Sequence, residues 1–220
     1  MANDLLLLGA GACGSGTTPV PTDMVSHWVF DADAADGPGS NDLTATGPSY
    51  VTGQVSNAIS TVKAQRLGTT VFPRTSFTLC GWVQFKTALG TTIVDTYHNS
   101  YGQYTLEITS SKVVLNGFDW DGTHAGNYYA LTATTFGNVS VDVWYFICLR
   151  IDRTNLLAKL SVNNTQNTQV MDETYQPHAD FTPGDIVFGD NSRTRYFDDW
   201  RLYNYCISDA ELTSLYAYRG

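Results

Sequence analysis

The sequence predicts an all-β domain, a sandwich or barrel, and three observations carry that expectation. Only 15% of the 220 residues are charged, against about 25% in ordinary globular domains, while 43% are hydrophobic and 13% aromatic. Short apolar alternations recur from Val25 onward, separated by Gly, Asn, Asp and Pro. One helix alone is well signalled, and it closes the chain. At this length one large all-β unit is the better expectation than two small ones, and such a unit buries enough surface to fold without a metal or disulfide scaffold.

The elements follow in order. Residues 1–22 read as an extended arm: Leu5, Leu6, Leu7 and Leu8, then a stretch rich in Gly, Thr and Pro that holds Cys13. The segment before the leucines carries Asp4 and no Lys or Arg, which departs from a secretory signal, so the expectation is an arm that stays attached. Its leucines either pair with a neighbouring subunit or cover the domain's own edge, and Cys13 is the better placed cysteine for an intermolecular bond. Residues 23–220 form the sandwich. Strands are expected at Ser26–Phe30, Phe77–Phe85, Thr91–Thr96, Val141–Ile151, Ala158–Val162, Ile186–Gly189 and Asp198–Tyr203, with a hairpin joining Tyr104–Ile108 to Lys112–Leu115. Ser208 with Glu211 three positions on is a capping box, Ile207 and Leu212 are a hydrophobic staple, and Leu212, Leu215 and Tyr216 line one helical face. Cys80 and Cys148 lie in apolar runs and read as buried, inert thiols; a Cys80–Cys148 bridge is open to them if their strands are neighbours.

These landmarks, in this order, resemble the laminin-G-like members of the concanavalin-A-like jelly-roll families, especially those of bacteria and phages. The resemblance is carried by Trp28-Val29-Phe30-Asp31, the loop Asp36-Gly37 to Asn41-Asp42-Leu43, Gly53 with Asn57-Ala58-Ile59, Phe77-Thr78 to Trp82, Trp144-Tyr145-Phe146 and Phe197-Asp198-Asp199-Trp200-Arg201-Leu202-Tyr203-Asn204. The closing stretch runs on through Ile207-Ser208 and Glu211-Leu212 to Leu215-Tyr216. It implies a two-sheet antiparallel jelly-roll sandwich with one short C-terminal helix, and a structural calcium ion (Ca2+). Calcium takes about 6–8 oxygen ligands, and the candidates are Asp31, Asp36, Asn41 and Asp42 near the start, with Asp198 and Asp199 near the end. The loop departs from the family's usual Asp-Ser-Gly-Asn pattern, and these residues are also natural turn formers.

A net charge of −9 removes the electrostatic attraction behind most nucleic-acid binding, and no apolar run approaches the ~20 residues of a membrane span. Catalysis is not expected. Glycoside hydrolysis needs two carboxylates flanking one bond, whereas Glu107, Glu173 and Glu211 are the only glutamates and lie far apart. Asp119-Trp120-Asp121-Gly122 is more simply a turn. None of His27, His98, His124 and His178 stands in a hydrolase or zinc motif. Ligand binding is expected instead where aromatics mix with amides: Tyr97, His98, Asn99 and Tyr101, and then Trp120, His124, Asn127 and Tyr128. Such residues stack on sugars or build protein interfaces.

Laminin-G-like modules normally act outside the cell, and virion proteins reach the outside by lysis without an export signal. The expectation is therefore a non-enzymatic structural protein on the virion surface of a tailed phage, as capsid decoration, head fibre or tail surface. Its arm would join other virion proteins or further copies of itself as a homo-oligomer, and its loops would meet host glycans. The alternative is an extracellular or cell-surface lectin; a third reading is a divergent glycosidase.

Overall fold

A computed structural model describes residues 20–67, 76–86, 90–98, 102–109, 111–119, 127–132, 137–170 and 185–220. The strands are β1 (Ser26–Trp28), β2 (Thr44–Thr46), β3 (Ser49–Thr52), β4 (Asn57–Thr61), β5 (Lys63–Arg66), β6 (Phe77–Phe85), β7 (Thr91–His98), β8 (Gly102–Thr109), β9 (Lys112–Asp119), β10 (Asn127–Thr132), β11 (Trp144–Asp152), β12 (Leu157–Val162), β13 (Thr165–Val170), β14 (Ile186–Gly189) and β15 (Arg195–Tyr203). Helix α1 (Asp209–Ala217) follows. One sheet runs β13-β12-β11-β6-β15-β4-β3 with β1 added on β15; the other runs β10-β9-β8-β7-β14-β5-β2. Every pairing is antiparallel, and neighbours far apart in sequence, such as β6 with β15 and β14 with β5, give the jelly-roll connection.

The interior between the sheets is filled by alternate residues of both. Leu79, Val83 and Phe85 of β6 meet Ile93, Leu106, Ile108 and Leu115 of the opposite layer. Phe188 is the hub of an aromatic cluster, with Trp28, Phe30, Phe197 and Trp200 at 5.0–5.9 Å in edge-to-face geometry. Trp200 reaches this position through a bulge in β15 between Asp198 and Arg201, where Asp199 takes a φ of 50°. Its indole lies against Gly81, where any Cβ would collide with the ring, and its Nε1 donates to the Trp82 carbonyl at 2.8 Å.

A second, smaller core lies on the outer face of the eight-stranded sheet, beneath α1. Cys80, Trp82, Phe146, Cys148 and Tyr203 pack there against Ile207, Leu212 and Leu215. The capping box forms as expected: Glu211 N donates to Ser208 Oγ at 3.2 Å, and Ser208 N donates to Glu211 Oε2 at 2.7 Å. Cys80 and Cys148 are opposite in register and buried, and both thiols are free. A hydrogen bond with Cys148, then burial, pushes the Cys80 thiol well above its ordinary range.

Several elements differ from the sequence expectation. The strand expected from Val141 begins at Trp144, because Asp142 takes a φ of 60° and the N–H of Asp142 donates to the Phe85 carbonyl. The first strand stops at Trp28, since Phe30 takes a φ of 65°. Strands β2, β3, β5, β10 and β13 carried no apolar alternation strong enough to be expected. The leucine arm and Cys13 lie outside the described residues.

Candidate functional site

The outer face of the seven-stranded sheet is polar and carries a cleft. Side chains alternate across a strand, so with Ala64 of β5 and Phe188 of β14 fully buried in the core, Lys63, Gln65 and Val187 face outward. Register sets Val187 beside both Gln65 and Asp95, Asp95 beside Thr105, and Thr105 beside Asn116. One row therefore crosses five strands and spans about 19 Å at ~4.8 Å per strand. The cleft encloses about 390 Å³ at the β5–β14–β7 end of this row, within the ~300–1,000 Å³ usual for small-ligand sites.

Its walls mix hydrogen-bond types. Lys63 brings an ammonium, Gln65 and Asn191 bring amides, Thr92 a hydroxyl, and Asp95, Asp185 and Asp190 carboxylates. Gln65 Oε1 is buried without a hydrogen-bond partner. Asp95 is held from the side by Thr105, whose Oγ1 donates to Asp95 Oδ1 at 3.2 Å. Asp190 is fixed by Arg195 Nη2 at 2.8 Å and by the Ser192 backbone and hydroxyl at 3.0 and 2.6 Å. The rim turns at Gly189, whose φ of 83° and contact with the Val62 carbonyl leave no room for a Cβ.

None of the eight residues expected to bind ligand is among those lining this cleft. Register places Tyr97, Gln103, Phe118 and Tyr128 side by side on β7–β10, two residues along from the Asp95–Thr105–Asn116 row. His98 pairs with Gly102, and Asn127 with Asp119. These backbone positions put Tyr97, His98, Asn127 and Tyr128 at one end of the same sheet. Asn99, Tyr101, Trp120 and His124 lie outside the described residues.

The six residues expected to hold calcium are divided rather than gathered. Both carboxylate oxygens of Asp36 accept backbone N–H groups, from His27 at 2.9 Å and Asn41 at 3.1 Å, and Asp42 Oδ1 accepts from Asp36 N at 2.9 Å. Asn41 Nδ2 donates to Ser26 Oγ at 2.8 Å. Asp199 Oδ1 lies 2.6 Å from His27 Nε2 and accepts from Arg201 Nη2 at 2.9 Å. Asp36, Asn41, Asp42 and Asp199 are thus engaged in hydrogen bonds within this loop and with Ser26, His27 and Arg201. Asp198 differs. Its Oδ2 accepts from Gln54 N at 2.6 Å and Val55 N at 2.9 Å, while its Oδ1 is buried with no partner. Burial raises its carboxyl to about 6 against those two donors, and the charges of Asp199 and Asp31 add to the rise. Asp31 accepts from Asn57 N at 2.7 Å in the same corner. A buried carboxylate oxygen without a donor, close to a second carboxylate, fits a hard cation. Among the described residues no three His, Cys, Asp or Glu side chains form a ligand set, so backbone and solvent oxygens would have to complete the shell.

Glu107 lies outside the lining of the cleft. Its Oε1 accepts from Asn116 Nδ2 at 2.5 Å and Thr109 Oγ1 at 3.2 Å.

Two antiparallel layers with an outward polar cleft define a lectin-like jelly-roll module. The chain belongs to the laminin-G-like family of the concanavalin A-like lectin/glucanases superfamily, whose pattern matches residues 56–213. No curated protein matches it. Among solved structures it is similar to the binding domain of Paraclostridial Mosquitocidal Protein 1, at 15% identity and a TM-score of 0.69 over 88% of this chain and 52% of that one. Domain 4 of the GH43 extracellular arabinanase AbnA from Geobacillus stearothermophilus, solved with arabinotriose, matches at 14% identity and a TM-score of 0.66, over 88% and 98%. The ligand-binding domain of botulinum neurotoxin serotype D, solved with N-acetylneuraminic acid, matches at 14% and 0.63, over 88% and 50%. The chain thus spans about half the length of the toxin domains it matches. At these identities the likeness shows the fold.

Proposed function

We propose that this chain is a non-catalytic carbohydrate-binding module that holds a glycan against the outer face of its seven-stranded sheet. The observation that carries the reading is the cleft between β5, β14 and β7. It sets amides, carboxylates and an ammonium around one space, the donor and acceptor mixture that hydroxyl-rich ligands need. Two fold relatives, the arabinanase domain and the botulinum domain, were solved with sugars, which supports the same reading. Binding rather than turnover is favoured because the toxin structures similar to this chain are binding domains. Its setting is proposed to be outside the cell or on a virion surface, where glycans are met.

A glycan array and calorimetry on the full chain test this. Binding to at least one oligosaccharide class is expected, lost in the Gln65→Ala/Asp95→Ala double variant, with no reducing sugar released. An array without hits, or full binding by the folded variant, refutes it.

Calcium belongs to the same proposal. Asp198 and Asp31 would hold it, and the ion would tie the 53–57 turn to β15 while neutralising the buried Asp198 oxygen. Added calcium should raise the melting temperature of the wild type and leave that of Asp198→Asn unmoved. An equal rise in both places any ion elsewhere.

A further inference from the structure

Two cysteines that the carbohydrate reading does not use face each other across inner strands of the eight-stranded sheet. Cys148 of β11 stands opposite Cys80 of β6, in a register that runs unbroken from Trp144–Gln84 to Ile151–Phe77. Opposite residues of an antiparallel pair point to the same face, with Cα atoms about 4.5–5.5 Å apart, inside the range of about 4.4–6.8 Å that a disulfide spans. Both side chains are buried in the outer core beneath α1, and a hydrogen bond joins the two thiols. Their surroundings are apolar: Trp82, Phe146, Leu212 and Leu215 belong to the same cluster. Cys206 is outside that register; it precedes α1, with its Sγ toward the Ile207 carbonyl at 3.9 Å.

We propose that Cys80 and Cys148 are a disulfide site, bridged when the chain folds in the presence of a disulfide oxidant. The thiolate of one cysteine attacks a sulfur of the oxidant, giving a mixed disulfide and releasing one oxidant thiol; the other cysteine then displaces the second. Two S–H bonds break and one S–S bond forms, and the two electrons and two protons end on the two thiols of the oxidant. Folding is the moment for this step. In the finished fold α1 covers the pair, and the hydrogen bond to Cys148 together with burial holds the Cys80 thiol well above its ordinary range, so attacking thiolate is scarce. The bridge closes a long loop that holds β7 to β10 of the opposite sheet, and the longer the loop, the more unfolded-state freedom a bridge removes.

The test is to refold the reduced full chain in a buffer of oxidised and reduced glutathione, block the remaining thiols by alkylation and map the linked peptides. A Cys80–Cys148 link is expected, and the oxidised protein should melt about 5–15 °C above the reduced one. Cys80→Ala/Cys148→Ala, taken through the same buffer, should melt alike with and without reductant. Folded protein with both thiols alkylated, or with either joined to Cys13, Cys206 or glutathione instead, overturns the proposal. A link that leaves the melting temperature unmoved overturns its role as a staple. The native, reduced chain gives a second measurement without refolding. In the same buffer it should form the same link at least about tenfold more slowly than the refolding chain, because α1 must first lift from the pair. A native chain that never forms the link overturns the proposal, and equal rates overturn the account of α1 as its cover.

Discussion

The two outward faces of this sandwich are built from the same pleat and end up opposite in character. On the eight-stranded sheet the outward residues include Cys80, Trp82, Phe146, Cys148 and Tyr203, and α1 covers them. Arg150, fully buried there, donates from Nη1 to the Ile207 carbonyl at 2.9 Å and pairs with Asp209 at 2.7 Å. Arg219 stacks over the Trp82 ring at 4.6 Å. On the seven-stranded sheet the outward residues include Lys63, Gln65, Thr92, Asp95 and Val187, and these line a cleft. The first face has been converted into core and the second kept polar. Stability and recognition are therefore separable, because substitutions on either face reach the other only through the shared interior.

The largest effects should come from the covered face and the interior beneath it. Leu215 lies on the buried face of α1, and Leu215→Ala removes its packing at a cost of about 2–5 kcal/mol. Chemical denaturation should show that loss, while the folded fraction binds its glycan with unchanged affinity. Weakened affinity in the folded protein would break the separation. Trp200→Ala should cost about 3–5 kcal/mol by the same measurement, since it removes the ring closest to Phe188 in that cluster.

Asp198 sits where β15 meets the 53–57 turn, and it gives a pH signature. Its carboxyl is raised to about 6 in the fold and lies near 4 when unfolded. The folded state therefore binds the extra proton between those values, and in calcium-free protein this contribution falls as pH rises from about 4 to about 6 and is flat above. The carboxyls of Asp209 and Glu211 are shifted downward, the first chiefly by its bond to Arg150, the second by its bonds to Ser208 and Tyr205 against the opposing effect of burial. Their contributions are present above about pH 4 and are lost below it. Thermal melts of Asp198→Asn should lose the slope between about pH 4 and 6 and keep the acid loss. A slope that survives the substitution would assign it to another group.

Smaller still is the cap. Ser208→Ala removes the acceptor for Glu211 N and should cost about 1 kcal/mol, because α1 is held as much by Ile207, Leu212 and Leu215 as by its first turn.

The covered face was far more legible in the sequence than the open one. Phe77–Phe85 carried its apolar run in one stretch and appears at those bounds as β6, and Ile207, Ser208, Glu211, Leu212 and Leu215 act as their spacing implied. The hairpin through Ser111 was visible because its strands are adjacent in the chain. The cleft was not. Lys63 and Gln65 flank a single alanine in the four-residue strand β5, too short and too polar to announce itself. They meet Asp95 and Asp190 only through pairings with β14 that join residues far apart in sequence. Polar alternation around Ala64 was the one local signal. The calcium candidates show the opposite pattern: Asp36, Asn41 and Asp42 are close in sequence and bond to one another, whereas the surroundings of Asp198 depend on the distant 53–57 turn.

The smallest stability effect belongs to the open face, and it is the sharpest test of the comparison. Gln65 is half exposed and its Oε1 has no partner, so Gln65→Ala removes no hydrogen bond made by that oxygen and leaves the Ala64 side of β5 in the core. Stability should stay within about 0.5 kcal/mol of the wild type, as for substitutions away from packed or bonded groups. Glycan affinity should nevertheless fall by about fivefold to tenfold, the scale of one hydrogen bond of about 1 kcal/mol formed only in the complex. Denaturation and calorimetry on the same sample read both quantities. A stability loss as large as that of Leu215→Ala would mean that the polar face is structural after all, and that the cleft is a by-product of how β5 packs.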